Sequence, residues 1–144
     1  MIALASDHGA WALKEKIKAY LIEAGHQVKD FGAHSTESSD YPDFVAPAAK
    51  AVAEGRCEQG IVLCTTGIGA SITANKIRGI RCALCLDPFM AEMTRRHNNA
   101  NLLALGAGLT GDLISLRIVE TWLNTPFEGG RHQQRVDKIM ALEQ

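Results

Sequence analysis

The 144-residue sequence lacks long apolar runs, an excess of charge of either sign and an abundance of aromatic residues. No stretch approaches the ~18 consecutive apolar residues of a membrane-spanning helix. The opening MIALASDHGA has no basic segment typical of a signal peptide. A formal net charge of −1 argues against a broad basic face for nucleic acid or anionic lipid. We therefore predict a cytoplasmic protein that binds neither nucleic acid nor membrane.

The sequence also lacks the cysteine pattern of a disulfide framework. Its four cysteines are Cys57, Cys64, Cys82 and Cys85, and in a reducing compartment we expect no disulfides. Cys82 and Cys85 have the C-x-x-C spacing of zinc or redox sites, but they lie in an apolar run that reads as a strand. Residues three apart in a strand face opposite sides. We predict that Cys82 and Cys85 are core residues and that no metal is bound. The spacing of Cys57 and Cys64 does not support a redox pair either.

Apolar runs of strand length alternate with segments of helical periodicity. The predicted strands are 2–6, 26–31, 60–64, 80–86 and 101–106. The predicted helices are 10–24, 42–54, 72–77, 88–96, 111–123 and 131–143. This alternation predicts one α/β domain over residues 1–144, a three-layer Rossmann-like sandwich around a five-stranded, mostly parallel sheet.

Such sheets bind ligands at the carboxyl ends of their strands. Cys64 ends the third strand and is followed by the glycine-rich turn TTGIGAS. A helix N-terminus there favours a thiolate, and glycines let backbone amides approach developing negative charge. The pattern suits a nucleophile or a base, although a small core cysteine at a strand end would have the same sequence.

Three further features each admit two interpretations. Asp7 and His8, at the end of the first strand, are an acid–base or ligand-binding pair, or they cap the next helix. Arg131 and Arg135 share one helix face, which is either an anion site for a phosphate or an ordinary solvent-exposed face. The G-x-G of TTGIGAS lacks the third small residue of a dinucleotide fingerprint, which disfavours nucleotide binding.

Five segments in order carry a family resemblance: ASDHGA with LKEKI, SSDYPDF, GIVLCTTGIGASITANKIRGIRCAL, RRHNNANLLALG and FEGGRHQQRV. Over almost its whole length the sequence resembles the ribose-5-phosphate isomerase B and galactose-6-phosphate isomerase family. The resemblance implies a cofactor-free aldose–ketose isomerase that acts through an enediolate, most simply on ribose 5-phosphate. It further implies a homodimer or dimer of dimers with shared sites, and we expect the helix at 131–143 to contribute to the interface.

The resemblance also implies residue roles. Cys64 would be the base that moves a proton between C1 and C2, and the Thr66 hydroxyl would move protons between the sugar oxygens. His97 and Asp7 would open the sugar ring. The implied substrate-binding residues are Gly67, Ile68, Gly69, Ala70 and Ser71 through their amides, together with Asn98, Tyr41, His8, Arg131 and Arg135.

The predicted topology separates two of these residues. His97 precedes the fifth strand and belongs near the amino edge of the sheet, whereas Cys64 lies at the carboxyl edge. Strands of five residues hold these edges roughly 15 Å apart. If both residues serve one site, His97 must come from a neighbouring subunit.

The sequence departs from the family pattern at three places. Gly9-Ala10 reverses the usual Ala-Gly after the first Asp-His, and Thr65 replaces the glycine that usually follows the cysteine. Gly108 stands where many ribose-phosphate isomerases have a phosphate-binding arginine. The absence of this arginine weakens phosphate binding by about 2 kcal/mol unless another group compensates. Allose 6-phosphate, galactose 6-phosphate and a tetrulose phosphate are therefore alternative substrates. A non-catalytic sugar-phosphate- or nucleotide-binding module is the alternative from another class.

Overall fold

A computed structural model describes residues 1–143. The strands are β1 (Ile2–Ser6), β2 (Val28–Asp30), β3 (Gln59–Cys64), β4 (Cys82–Leu84) and β5 (Leu102–Gly106). The α-helices are α1 (Trp11–Glu23), α2 (Pro42–Ala53), α3 (Ile68–Asn75), α4 (Pro88–Met93), α5 (Asp112–Asn124) and α6 (Arg131–Ala141). A 3-10 turn (His8–Ala10) precedes α1, and a π-helical turn (Thr94–Asn98) follows α4.

The five strands form one sheet in the order β2-β1-β3-β5-β4. Every neighbouring pair is parallel, which confirms the predicted α/β class. The ends of β3 and β5 are in register, because Cys64 pairs with Gly106. Residues that follow these strands, and those that follow β1, therefore meet at one carboxyl edge.

The sheet has helices on both faces, and the two faces differ in side-chain size. Toward α1, α4 and α5, the central strands present large residues: Ile2, Leu4, Ile61, Leu63, Leu103 and Leu105. Toward α2 and α3, they present mainly smaller ones: Ala3, Ala5, Val62 and Ala104, with Leu102. Small side chains let the alanine-rich helix α2 approach the sheet closely, so the three-layer arrangement follows from the alternation within each strand.

Several predicted boundaries are wrong in instructive ways. Strands β2 and β4 are shorter than predicted because they lie at the two sides of the sheet, where pairing is one-sided. Helix α3 begins at Ile68 rather than Ile72, since Gly67 caps it in the left-handed region with φ of 76°. The last part of the helix predicted for 88–96 is the π-helical turn, which ends where Asn99 has φ of 46°.

One buried ion pair lies beside β2. The Lys14 side chain is fully buried, and its Nζ is 2.7 Å from both carboxylate oxygens of Asp30. Burial raises the pKa of Asp30. The hydrogen bonds from Lys14, the Gly32 amide and Lys18, together with the charge of Lys14, outweigh that effect and hold the pKa below its ordinary value.

Among residues 1–143, the helices are all too short or too polar to cross a bilayer.

Candidate active site

A cleft of about 230 Å³ opens at the carboxyl edge of the sheet, where β1 and β3 end side by side. Its lining residues come from the turns after these strands and from the start of α2: Asp7, Tyr41, Cys64, Thr65, Thr66 and Gly69. The predicted grouping of the first and third strand ends is thus observed. The lining contains a thiol, a carboxyl group and hydroxyl groups but no lysine or arginine.

The Cys64 sulfur receives a backbone hydrogen bond. The Gly67 amide donates to Sγ at 3.1 Å, and the side chain is buried at the wall of the cleft. The left-handed conformation of Gly67 turns its N–H back toward the preceding strand end. A backbone donor at the start of a helix is an arrangement that stabilises negative charge developing on the group it contacts.

The first turn of α3 supplies further amides, but not all of them are free. The Ile68 amide donates to Thr66 Oγ1 at 3.3 Å, and the Ser71 amide donates to the Gly67 carbonyl at 2.9 Å. Within residues 1–143, the amides of Gly69 and Ala70 have no protein acceptor. Of the five amides predicted to stabilise an enediolate, these two are the ones left for a ligand.

Tyr41 lies directly over this turn. A Cβ on Gly69 would fall 2.4 Å from the Tyr41 ring carbon that bears the hydroxyl. Glycine at this position is therefore required for the aromatic ring to close one wall of the cleft. Tyr41 thus lines the same cleft as Cys64, and its contact with a sugar stays a prediction.

Asp7 and His8 are both held by local hydrogen bonds. Asp7 Oδ1 accepts from the Ala10 amide at 3.2 Å, so Asp7 caps the 3-10 turn and also lines the cleft. His8 Nδ1 accepts from the Ser39 amide at 3.0 Å, which leaves Nε2 as the N–H donor of the neutral ring. Sequence reasoning missed Ser39, although it lies in the SSDYPDF segment that carried the resemblance.

The structure does not bring His97 and Asn98 to this cleft within one chain. Both lie in the π-helical turn at the opposite end of β5, and Arg81, just before β4, donates to the Asn98 carbonyl at 3.0 Å. Cys64 instead pairs with Gly106 at the far end of β5. Five residues of strand separate the two ends by about 13 Å. The predicted separation of His97 from Cys64 inside one subunit is therefore observed.

His97 belongs to a basic cluster at the amino edge of the sheet. Its ring stacks on His132 of α6, with centroids 4.2 Å apart, and both rings face Glu128. Arg131 and Arg135 are exposed on the same helix. Burial and the neighbouring His97 lower the pKa of His132. Sequence reasoning missed His132 and Glu128, whose only signal was their place in the FEGGRH segment.

The same cluster contains three atoms of metal-binding type. One ligand atom each of His97, Glu128 and His132 lie within 4.8 Å of one another. Arg96 already occupies Glu128 through a hydrogen bond from its Nε, and the stacked imidazole planes are nearly parallel, 13° apart. Parallel rings do not converge their nitrogens on one ion, so the cluster does not fit a metal well.

The C-x-x-C pair is divided between the two faces of the sheet, as predicted. Cys85 packs in the cluster beneath α1 and α5, whereas the half-buried Cys82 packs against the opposite cluster. Burial raises the pKa of each thiol to about 12. Both residues are therefore protonated in neutral solution, unlike a catalytic thiolate.

Comparison with known proteins places this geometry among isomerases. A family model described as Ribose/Galactose Isomerase matches residues 2–139. The chain is 46% identical to ribose-5-phosphate isomerase B of Escherichia coli K12, covering 99% of this chain and 96% of that protein. It is 42% identical to D-erythrulose-4-phosphate isomerase of Pectobacterium atrosepticum, with 99% and 94% covered. A solved structure of Clostridium thermocellum ribose-5-phosphate isomerase B is 51% identical, with a TM-score of 0.97 and 99% and 96% covered.

Proposed function

This chain belongs to the ribose/galactose isomerase family and is a sugar-phosphate isomerase of the aldose–ketose class; from that premise we propose that it interconverts ribose 5-phosphate and ribulose 5-phosphate with Cys64 as the base. The observation that carries the role of Cys64 is the hydrogen bond from the Gly67 amide to its sulfur, inside a cleft lined by hydroxyl and carboxyl groups. The Clostridium and Escherichia coli relatives support the choice of substrate.

The reaction needs one base and no net oxidation. The Cys64 thiolate removes the proton from C2 of the open-chain aldose; the C2–H electron pair forms a C1–C2 double bond and the C1=O π pair moves onto O1, giving an enediolate. The O2 proton then passes to O1, the electron pair left on O2 forms the ketose carbonyl, and the C1–C2 π pair takes the proton back from the Cys64 thiol at C1. Atoms and electrons balance within the sugar, so the reaction needs no redox cofactor.

The enediolate is stabilised by the turn that follows β3. Negative charge on its oxygens meets the free amides of Gly69 and Ala70 at the start of α3, where the helix dipole adds to their effect. Thr66 Oγ1 accepts from the Ile68 amide, so its own proton is free to be donated to a sugar oxygen. That arrangement suits the predicted transfer of protons between O1 and O2.

The cleft is completed by a second copy of the chain. The cleft of one subunit has no lysine or arginine for a phosphate, while the basic cluster with Arg131, Arg135 and Asn98 lies at the opposite edge of the sheet. In a homodimer, Asp7 of the same subunit as Cys64 opens the sugar ring together with His97 of the partner subunit. Arginines of the partner's α6 bind the phosphate beside His8. This arrangement makes α6 part of the interface, either in a dimer or in a dimer of dimers.

The proposed cellular location follows from the reaction. A sugar-phosphate isomerase acts where phosphorylated sugars are made and consumed, so we place this enzyme in the cytoplasm. All four thiols are free in the structure, as is usual in a reducing compartment.

A different sugar phosphate is the second candidate for the substrate. Gly108 leaves the cleft without the arginine present in many ribose-phosphate isomerases, and one relative acts on D-erythrulose 4-phosphate. A tetrulose phosphate, allose 6-phosphate or galactose 6-phosphate would use the same base and the same turn. Only the position of the phosphate relative to Cys64 would differ.

The first test is a turnover assay with EDTA present, run in parallel on ribose 5-phosphate, allose 6-phosphate and erythrulose 4-phosphate. The proposal expects the highest kcat/KM on ribose 5-phosphate and no effect of EDTA. Activity only on another sugar would replace the substrate and keep the chemistry. Inactivity on all three sugars would contradict the proposed function.

The second test addresses the base. Cys64→Ala is expected to reduce kcat by about a thousandfold or more while ligand affinity stays within about tenfold, because the lost proton transfer occurs only in the reaction. Cys57→Ala is the matched control, since Cys57 is a buried thiol packed beneath α2 and outside the cleft. Near-native turnover by Cys64→Ala would show that another group is the base.

A further inference from the structure

The side chain of Thr65 fills a gap between two glycines that are distant in the sequence. A Cβ on Gly9 would fall 2.8 Å from Thr65 Oγ1, a distance that real Cβ atoms essentially never show. A Cβ on Gly108 would fall 3.1 Å from both Thr65 Cγ2 and the Thr65 carbonyl oxygen, which is tighter than most Cβ contacts, so a residue other than glycine at either position would push against Thr65. The three departures from the family pattern noted in the sequence therefore meet at one point.

This contact is part of the cleft wall. Thr65 is solvent-exposed and lines the cleft directly after Cys64. The segment that follows β5 runs beside it, because the Gly108 amide donates to the Thr65 carbonyl at 2.8 Å and the Ala107 amide donates to the Cys64 carbonyl at 2.9 Å. Position 108 is thus held at a fixed distance from the base.

We propose that Thr65 is a specificity-determining residue of the isomerase site, because its side chain fills the space between Gly9 and Gly108 and keeps this wall of the cleft short and uncharged. The inference rests on the proposed function. A long cationic side chain at position 108 needs the volume that Thr65 Cγ2 occupies, so the two positions are coupled. The substrate therefore meets a neutral hydroxyl and methyl here rather than a fixed positive charge.

A consequence for the substrate follows. No lysine or arginine lines the cleft, and the buried cation of α1, Lys14, is neutralised by Asp30. The phosphate is then bound by groups from outside this wall. The space beside Thr65 decides how many sugar carbons fit between those phosphate-binding groups and Cys64. Removing the Thr65 side chain beyond Cβ lengthens the cleft and favours sugars with one more carbon.

The test uses four variants: Thr65→Ala, Gly108→Arg, the double variant Thr65→Ala/Gly108→Arg, and Gly111→Ala. Gly111 is the matched glycine control, because its φ is −68° and a Cβ there would have nothing within 4 Å. For each variant, kcat and KM are measured on ribose 5-phosphate, allose 6-phosphate and erythrulose 4-phosphate, together with the melting temperature. The control is expected to match the parent protein in every measurement.

Thr65→Ala is expected to raise the ratio of kcat/KM for allose 6-phosphate over that for ribose 5-phosphate by about tenfold, the usual effect of space for one methylene group. Gly108→Arg alone is expected to lower the melting temperature and raise KM for every sugar. In the double variant the contact with Thr65 Cγ2 is removed and the Thr65 carbonyl oxygen is the remaining close neighbour, so KM for ribose 5-phosphate is expected to fall about tenfold below that of Thr65→Ala.

Two results would overturn the inference while the parent protein remains an active isomerase. One is an unchanged ratio between the sugars in Thr65→Ala, a conservative variant in which folding is easily verified. The other is an additive cycle, in which Gly108→Arg has the same effect on KM with and without Thr65. Inactivity of the parent protein on every sugar would instead contradict the proposed function itself.

Discussion

The two edges of one sheet carry opposite kinds of chemistry. At the carboxyl edge, the cleft has a thiol, a carboxyl group, hydroxyl groups and free amides but no lysine or arginine. At the amino edge lie two stacked histidines and the exposed Arg131 and Arg135. A phosphorylated sugar needs both sets, a base for its carbon-bound proton and cations for its phosphate. Under the proposed function, a complete site therefore takes the carboxyl edge of one chain and the amino edge of another.

The sheet itself keeps the two sets apart. Strands β3 and β5 are buried and paired over their full common length, so they cannot shorten to let the edges meet. Under the proposed function, a second subunit would place its amino edge against the first subunit's carboxyl edge without deforming either chain. Two-fold symmetry would then give two equivalent sites in each dimer.

The largest expected effect on the amino edge is that of His97→Ala. If His97 is the acid–base group that opens the ring, as proposed, its loss is expected to reduce kcat on ribose 5-phosphate by about a thousandfold, within the usual range for such groups. His26→Ala is the control, because His26 is exposed in the loop before β2. A His97→Ala variant with near-native kcat would remove the amino edge from the proposed catalytic machinery.

The next largest effect concerns Lys14, the buried cation of α1 that lies outside the cleft. Asp30→Asn leaves the buried Lys14 with only the more distant Glu15 carboxylate, 3.6 Å away, and is expected to destabilise the fold by about 3 kcal/mol in denaturant titrations at neutral pH. Because the pKa of Asp30 is lower in the folded chain than in the unfolded one, its stabilisation exists above the unfolded pKa and is lost as pH falls through the folded pKa.

The Asp30→Asn variant should therefore show a flatter dependence of stability on pH in the acid range than the parent protein. Glu54→Gln provides the control, since the Glu54–Arg56 pair is exposed and contributes little. Equal acid sensitivity in the parent and in Asp30→Asn would show that the Lys14–Asp30 pair does not govern the low-pH behaviour.

The smallest effect is that of single arginines in α6. Arg131→Ala and Arg135→Ala are each expected to raise KM for ribose 5-phosphate about tenfold with little change in kcat, as for a charged hydrogen bond to phosphate. Inorganic phosphate should also inhibit each variant more weakly than the parent. Arg56→Ala, at an exposed position after α2, is the control. If KM and phosphate inhibition stay at parental values, the phosphate is bound elsewhere.

The carboxyl edge was largely predictable from sequence, because it depends on local rules. Buried strands β1 and β3 are visible as apolar runs, and parallel strands end at the same edge, so Asp7 and Cys64 could be placed together. The start of α3 was not predictable, since two glycines within five residues resemble a loop. In the structure, Gly67 in the left-handed region leads directly into α3, and Tyr41 packs over Gly69 in its first turn.

The amino edge was less predictable, because it depends on contacts between distant segments. No periodicity indicates that His97 stacks on His132 or that Glu128 faces both rings. Likewise, Thr65 and Gly108 looked like independent departures from a family pattern until the fold placed them in contact. Local sequence identifies such residues, but tertiary structure assigns their partners.

Complementation between two inactive variants tests the shared site most directly. Cys64→Ala and His97→Ala proteins are unfolded together, refolded as a mixture and assayed on ribose 5-phosphate. Random pairing makes half of the dimers mixed, and each mixed dimer has one of two sites intact, so the mixture is expected to regain about a quarter of the parental activity. Activity no greater than that of the separate variants, with mixed dimers demonstrated by mass spectrometry, would contradict a site built from two subunits.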